Sequence, residues 1–390
     1  MDWQYRETVL AVCTFALFVT VFGRVAVSPV VPEIAAEFGL SNALIGAALT
    51  GMWLAYALTQ FPSGVLADRY GERVIILTSI CGTGLTALVI AGAPGFGVFV
   101  LGTVLLGAVA GLHYSVATAL LTRIYDDIGT AIGVHNAGAP LAGLVTPVAV
   151  SWVAVRHGWR LAVSLTLIVA LPIVALALRR VRPTEPRRPE RSLREQFAPE
   201  PILRVLSRPT VVFTGVIAIV AEFTWQAMAS FLPTFFTQYH GYSTTVAGVL
   251  FGAYFLVQGV LQIGVGIVAD RFGRDLATGG CMLTGIVGFL LLVTGSKLAL
   301  IAAGTLLLGL GMGWGAAVFP RFMDQLSDNE RAVGFGLFRT VYMTVAASGS
   351  VAVGLLADLF GWGVAFGFLT VLLGLVCGLL AANRLFGLDY

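Results

Sequence analysis

The sequence predicts an all-α integral membrane protein with twelve transmembrane helices in two pseudo-symmetric six-helix bundles. Three observations lead there. Charged residues make up 11% of the 390-residue chain against 58% hydrophobic ones, and the mean hydropathy is +0.91. A soluble surface needs far more charge to stay wetted. The apolar residues come in blocks of about twenty or more, the length a helix needs to cross roughly 30 Å of hydrocarbon. Finally, one charged phrase occurs twice, as GVLADRYGER at 64–73 and as GIVADRFGRD at 266–275.

The expected helices cover 8–31, 43–66, 74–93, 97–121, 130–154, 160–178, 211–235, 245–268, 276–295, 298–319, 332–356 and 362–383. Short polar stretches separate them, such as AGAPGFG after the third and RHGWR after the fifth. Loops after even-numbered helices hold Arg69, Arg73, Arg123, Arg271, Arg274 and Arg331, together with the arginine-rich segment 179–208. The opposite loops hold Glu33, Glu37, Arg156, Arg160, Lys297 and Asp358. The positive-inside rule then puts both termini in the cytoplasm and the chain in the cytoplasmic membrane. The proline- and arginine-rich stretch reads as a solvated tether, with a short helix along anionic headgroups as the other reading. The expected organisation is a first bundle at 1–180, a linker at 181–208 and a second bundle at 209–390.

Cys13, Cys81, Cys281 and Cys377 all fall in apolar blocks with no metal-ligand spacing, so they are expected to be reduced packing residues. No metal or other cofactor is expected. The first apolar block is too long for a signal-peptide core and lacks a cleavage site.

An offset of 202 aligns the halves beyond the charged phrase. Gly39 meets Gly241, Ser41 meets Ser243, Gly46 meets Gly248, Gln60 meets Gln262 and Asp68 meets Asp270. HGWR at 157–160 answers FGWG at 360–363 with the offset drifting by one. The whole chain thereby resembles the major facilitator superfamily, whose loop after helix 2 carries G-x-L-A-D-R-x-G-R-K. The first copy matches at Gly64, Leu66, Ala67, Asp68, Arg69, Gly71 and Arg73, with Glu72 in place of a basic residue. The second matches at Gly266, Ala269, Asp270, Arg271, Gly273 and Arg274. The resemblance implies a conformational latch built on Asp68, Arg69, Arg73, Asp270 and Arg271, with Gly64 and Gly266 letting helices approach. A plain tight turn with positive-inside arginines is the alternative.

An ionisable side chain at the bilayer centre costs at least about 2.5–3.5 kcal/mol on insertion scales, so each is a functional hypothesis. Four stand out: Arg24, His113, Glu222 and Arg339. At ~1.5 Å per residue, Arg24 lies about 12 Å in from Pro32, His113 about 15 Å from Arg123 and Glu222 about 18 Å from Thr210. Arg339 is nearer the cytoplasmic end and can snorkel or serve an inner gate. A buried arginine stays charged, and its fork fits a carboxylate or phosphate, so Arg24, with Arg339, is the expected substrate contact. A structural ion pair with Glu222 is the alternative. The helix 1 pattern resembles the organic-anion branch of the superfamily, with Gly23 where that branch has Asp. The branch's helix 4 Glu has no counterpart, because Gly107 to Ala110 ends in alanine.

A coupling proton requires a group that titrates during the cycle. Glu222 and His113 are the candidates, against a fixed salt bridge for the first and an interhelical hydrogen bond for the second. Of the aromatic and amide residues at similar depth, Trp53 and Gln226 among them, Tyr56, Asn136, Trp225 and Gln258 are expected to line the cavity. Helix 5, HNAGAPLAGLVTP, matches the drug-antiporter signature only in part.

The expected function is proton-coupled symport of a small organic anion by alternating access, with sodium an open alternative. Rival readings are an exporter of hydrophobic or cationic compounds and a non-transporting sensor on the same fold. The expected partners are a small-molecule substrate and membrane lipid, with no nucleic acid, and the expected state is a monomer. No phosphate loop, metal cluster or nucleophile arrangement points to an enzyme.

Overall fold

The computed structural model describes residues 5–186, 207–388 and 390, and every regular element among them is helical. Most of the expected linker, 187–206, lies outside the described residues. In chain order the α-helices are α1 (Tyr5–Ala26), α2 (Val31–Phe38), α3 (Asn42–Tyr70), α4 (Glu72–Ala91), α5 (Phe96–Gly111), α6 (His113–Ile124), α7 (Ile128–Asn136), α8 (Gly138–His157) and α9 (Trp159–Arg180). They continue with α10 (Pro209–Gln238), α11 (Thr244–Phe272), α12 (Arg274–Thr294), α13 (Leu298–Gly311), α14 (Gly315–Met323), α15 (Asp328–Ala346), α16 (Gly349–Phe360) and α17 (Trp362–Phe386). Together they make 12 stretches long and apolar enough to cross a membrane.

The chain divides into two compact units: Met1–Gly39 with Gly51–Ala198, and Leu40–Thr50 with Pro199–Tyr390. In the first, α1 is the central post. Val9, Cys13, Ala16 and Val19 pack on Ile76 and Ile80 of α4, Val116, Ala117 and Leu120 of α6, and Ala170 of α9. By contrast α9 leaves Leu161, Ile168, Leu171 and Leu178 exposed, a face suited to lipid. Both helices are apolar all round, because lipid tails and a protein core ask for the same residues. In the second unit the start of α3 runs along α16: Thr50 Oγ1 donates to the Ala347 carbonyl at 3.0 Å and accepts from Val351 N at 3.1 Å.

Several spans that read as continuous in sequence are broken. The first ends at Ala26 and turns through a 3-10 segment, Ser28–Val30, before α2. Pro29 and Pro32 explain this, since neither can supply the amide that would continue α1. The fourth breaks at Leu112, whose amide bonds Val109, and the fifth at Ala137. The tenth breaks between α13 and α14, and the eleventh between α15 and α16. Non-helical backbone at membrane depth is tolerated where protein or a cavity surrounds it.

The duplication is written into the backbone. Gly39 and Gly241 have φ of 64° and 70°, Gly71 and Gly273 have 86° and 102°, and Gly158 and Gly361 have 83° and 84°. A side chain is strained at such angles, so each repeat needs glycine at the same three corners. After the last pair comes a tryptophan whose indole is anchored: Trp159 Nε1 donates to Glu37 at 2.5 Å, and Trp362 Nε1 to Gln238 at 2.8 Å.

Candidate functional site

In the first unit the breaks gather ionisable side chains. Arg24 occupies the last turn of α1, where a cation favours the helix dipole. It is 7% exposed, and its Nε donates to the Thr20 carbonyl at 3.2 Å. Its guanidinium carbon lies 3.9 Å from the Tyr56 ring centroid and 5.3 Å from that of Trp53. The two rings meet edge to face, 6.3 Å apart. Glycines place them. A Cβ at Gly107 would strike the Met52 carbonyl, and one at Gly111 would come 2.5 Å from the Tyr56 carbonyl. Bare α5 backbone therefore rests on α3 on either side of Trp53. A Cβ at Gly23 would meet Thr83 at 2.7 Å, so the position where the organic-anion branch has Asp points into packed interior.

His113 is the first residue of α6 and His135 the penultimate residue of α7; both are fully buried. His113 Nε2 bonds the Cys13 carbonyl at 3.1 Å, across to α1. The two imidazole centroids are 5.4 Å apart, and Tyr114 flanks His135 at 5.8 Å. Asn136, half-buried, ends α7 beside them.

In the second unit Glu222 is 7% exposed on α10 and accepts from Gln226 Nε2 at 3.1 Å. Trp225 Nε1 points to Gln258 Oε1 at 3.4 Å, a long contact. Gln258 Nε2 in turn donates to the Met312 carbonyl at 3.0 Å, capping backbone freed at the α13–α14 break. Arg339 is half-buried on α15. Arg24, His113 and Tyr56 thus share one unit, while Glu222, Trp225, Gln258 and Arg339 belong to the other.

The repeated charged phrase forms two different arrangements. Asp68 has no hydrogen bond or ion pair among the described residues, Arg69 lies over Tyr70, and Arg73 donates to the Leu178 carbonyl at 2.9 Å. Glu72, the departure from the superfamily pattern, is buried and pairs with Arg123 at 2.9 Å. In the second copy Arg274 bonds Asp270 and reaches Asp324 at 3.4 Å, while Arg271 is exposed. Gly64 and Gly266 do not mark the close approaches expected of them. A Cβ at Gly64 would meet nothing within 4 Å among the described residues, and one at Gly266 only Ala316 at 4.0 Å. Tight contacts fall at other glycines instead, Gly46, Gly107, Gly111, Gly138, Gly349 and Gly354 among them.

Sequence reasoning passed over two features. Arg321, 7% exposed on α14, joins Asp275 at 2.6 Å, Thr214 and the Tyr390 carbonyl, tying three parts of the second unit together. His135 carried the signal that singled out His113, a titratable ring in an apolar stretch.

Twelve spans, a six-span repeat and buried ionisable groups at helix breaks define a multi-pass membrane protein of the transporter class. The chain belongs to the Major Facilitator Superfamily, whose family model matches residues 13–247 and 214–386. It is 28% identical over 375 residues to the transcription regulatory protein OpdE of Pseudomonas aeruginosa, covering 92% of this chain and 88% of that one. It is 23% identical over 360 residues to the hexuronate transporter of Bacillus subtilis, covering 87% and 85%. In fold it superposes with a TM-score of 0.81, at 16% identity and 98% coverage of both chains, on a bacterial homolog of the human lysosomal transporter Spinster. The superfamily and fold are those of transporters, not enzymes.

Proposed function

We propose that the protein is a secondary transporter of a small organic carboxylate across the cytoplasmic membrane, proton-coupled and working by alternating access, with both termini cytoplasmic. The observation that carries this reading is Arg24, a permanent cation buried at the end of α1 and laid against the faces of Tyr56 and Trp53. The rings hold the guanidinium plane in place through cation–π attraction, and its donors suit the two oxygens of a carboxylate. The similarity to a hexuronate transporter supports an anionic cargo. Arg339, Asn136, Trp225 and Gln258 are assigned to the cargo path. The Asp68, Arg69, Arg73, Asp270 and Arg271 loops are assigned to the conformational switch.

The test is uptake of radiolabelled carboxylates, D-glucuronate first, into proteoliposomes with an imposed pH gradient. Losing charge-assisted hydrogen bonds removes about 1.5–3 kcal/mol, so Arg24→Gln should weaken the substrate ten- to hundredfold while Arg24→Lys retains part of the function. Unchanged uptake and affinity in Arg24→Gln sinks the carboxylate reading. Similarity to a relative named as a transcription regulatory protein favours a second reading, a sensor on the same fold. Specific binding of a carboxylate with no flux of it would select that reading.

A further inference from the structure

The two buried imidazoles of the first unit hold a position of their own. A carbonyl oxygen can only accept, so the contact to Cys13 requires that His113 Nε2 carry its hydrogen. Neutral His113 then presents a bare lone pair at Nδ1, and that atom is buried without a hydrogen-bond partner among the described residues. Both nitrogens of His135 are buried and equally without one. Leaving several ring nitrogens unsatisfied inside a bundle is costly, and apolar side chains of the same size would avoid it.

A proton resolves the arrangement. Placed on His113 Nδ1, it makes an imidazolium that keeps its bond to the Cys13 carbonyl from one edge and has a second donor on the other, with the His135 ring as its neighbour at 5.4 Å between centroids. The groups that face the pair are few. The α1 helix brings the Cys13 carbonyl and α6 brings Tyr114; of the charged residues on the packed helices, Arg6, Glu7 and Arg24 lie in the end turns of α1, Glu72 and Arg73 in the first turn of α4, Arg123 in the last turn of α6, and Arg156 and His157 in the last turn of α8. Arg24 is the permanent charge on the side to which the Cys13 carbonyl points, its guanidinium turned back to the Thr20 carbonyl, about two turns along α1 from Cys13. A second cation in the same low-dielectric bundle is opposed by Arg24, and an anion on Arg24 lifts that opposition.

We infer that His113 and His135 together form the proton site of the carrier, filled when an anion occupies Arg24. The inference rests on the carboxylate reading above and adds His135 to the machinery. Filling both sites adds one positive and one negative charge, so the first unit has the same net charge loaded and empty. Linkage then works in both directions: the anion promotes protonation, and the proton tightens the anion by the same factor.

The chain has four histidines, few enough to follow individually. Full-length protein labelled with ¹⁵N-histidine, in nanodiscs, is titrated from pH 9 to pH 5 while the imidazole nitrogen shifts are recorded, with His→Gln variants for assignment. His113 and His135 are expected to titrate as a coupled pair, so that His135→Gln changes the His113 curve. Arg24→Gln, or Arg24→Met if the first variant does not fold, is expected to move their midpoint upward by about one pH unit or more, as removal of a neighbouring like charge does. The inference is overturned if both rings stay neutral throughout in the wild type and in the Arg24 variant, or if the Arg24 variant leaves the midpoint in place. D-Glucuronate and benzoate, added to the wild type, separate the two readings. Anion binding that leaves the imidazole midpoint untouched retires the histidine pair and keeps the carboxylate. A midpoint that answers to Arg24 but to neither anion keeps the pair and counts against the carboxylate.

Discussion

Asp358, at the end of α16, caps the first turn of α3 through Ala43. Its Oδ2 accepts from Ala43 N at 2.7 Å, and its Oδ1 takes both the backbone and side-chain amides of Asn42, at 3.1 Å and 2.8 Å. Residues 316 positions apart so satisfy one another, and close approach helps: a Cβ at Gly46 would lie 2.5 Å from the Ser350 carbonyl. Removing such a cap costs about 0.5–2 kcal/mol. Asp358→Ala should lower the melting temperature by a few degrees and speed hydrogen exchange at the Asn42 and Ala43 amides, with Asp358→Asn between it and the wild type. Unchanged exchange at those two amides would show that the cap contributes nothing.

Glu72 yields a prediction that runs against the superfamily pattern. A basic residue is usual there, yet Glu72→Lys should destabilise this protein, because it sets a cation against Arg123 and strands a charge in a side-chain position only 4% exposed. The loss should be on the order of 2 kcal/mol, below that for a fully buried pair because Arg123 is 40% exposed. The double variant Glu72→Lys with Arg123→Glu should recover part of it in thermal melts; an equally unstable double variant would rule the pair out as the cause.

Two glycines of α5 separate packing from propensity. Gly107→Val forces side-chain atoms into the Met52 carbonyl and should cost about 1–3 kcal/mol. Gly97, with nothing within 4 Å of its Cβ position, should tolerate Ala and gain about 0.5–1 kcal/mol of helix stability. Comparing melting temperatures of the two variants checks both signs.

His240 lies between α10 and α11, with Nε2 bonded to the Leu292 carbonyl at 2.9 Å. Burial disfavours its charged form more than that hydrogen bond favours it, so its pKa is held below the usual imidazole range. As pH falls through about 6.5 the unfolded state takes up the proton first, so this residue's share of stability is present above that pH and lost below it. The melting temperature should therefore fall less steeply between pH 6.5 and 5 in His240→Gln than in the wild type; identical slopes would exclude His240 as a source of the acid sensitivity.

The twelve spans were legible because hydrocarbon thickness imposes a length and scarce charge marks the ends. The duplication was legible in GVLADRYGER and GIVADRFGRD, and it reappears in three pairs of matched glycine corners. The breaks at Leu112 and Ala137 were not legible, since hydropathy averages across them. Depth alone singled out Arg24 and His113, because a charge in lipid is conspicuous wherever it points. Their companions depend on rotation about the helix axis and on which helix lies alongside. Trp53 reads as one aromatic among many until α5 is seen to rest on α3. Asp358 reads as a loop charge until the start of α3 is seen beneath it, and Glu72 as a mere exception until Arg123 is found opposite.

The indole of Trp53 sits beside Arg24 and is buried from solvent. Its excited state carries a larger dipole than its ground state, so its emission colour follows the local electric field. An anion that compensates the neighbouring guanidinium changes that field. With the other six tryptophans replaced by phenylalanine, the protein becomes its own fluorescent reporter of an anion seated against Arg24, readable in real time and without a label.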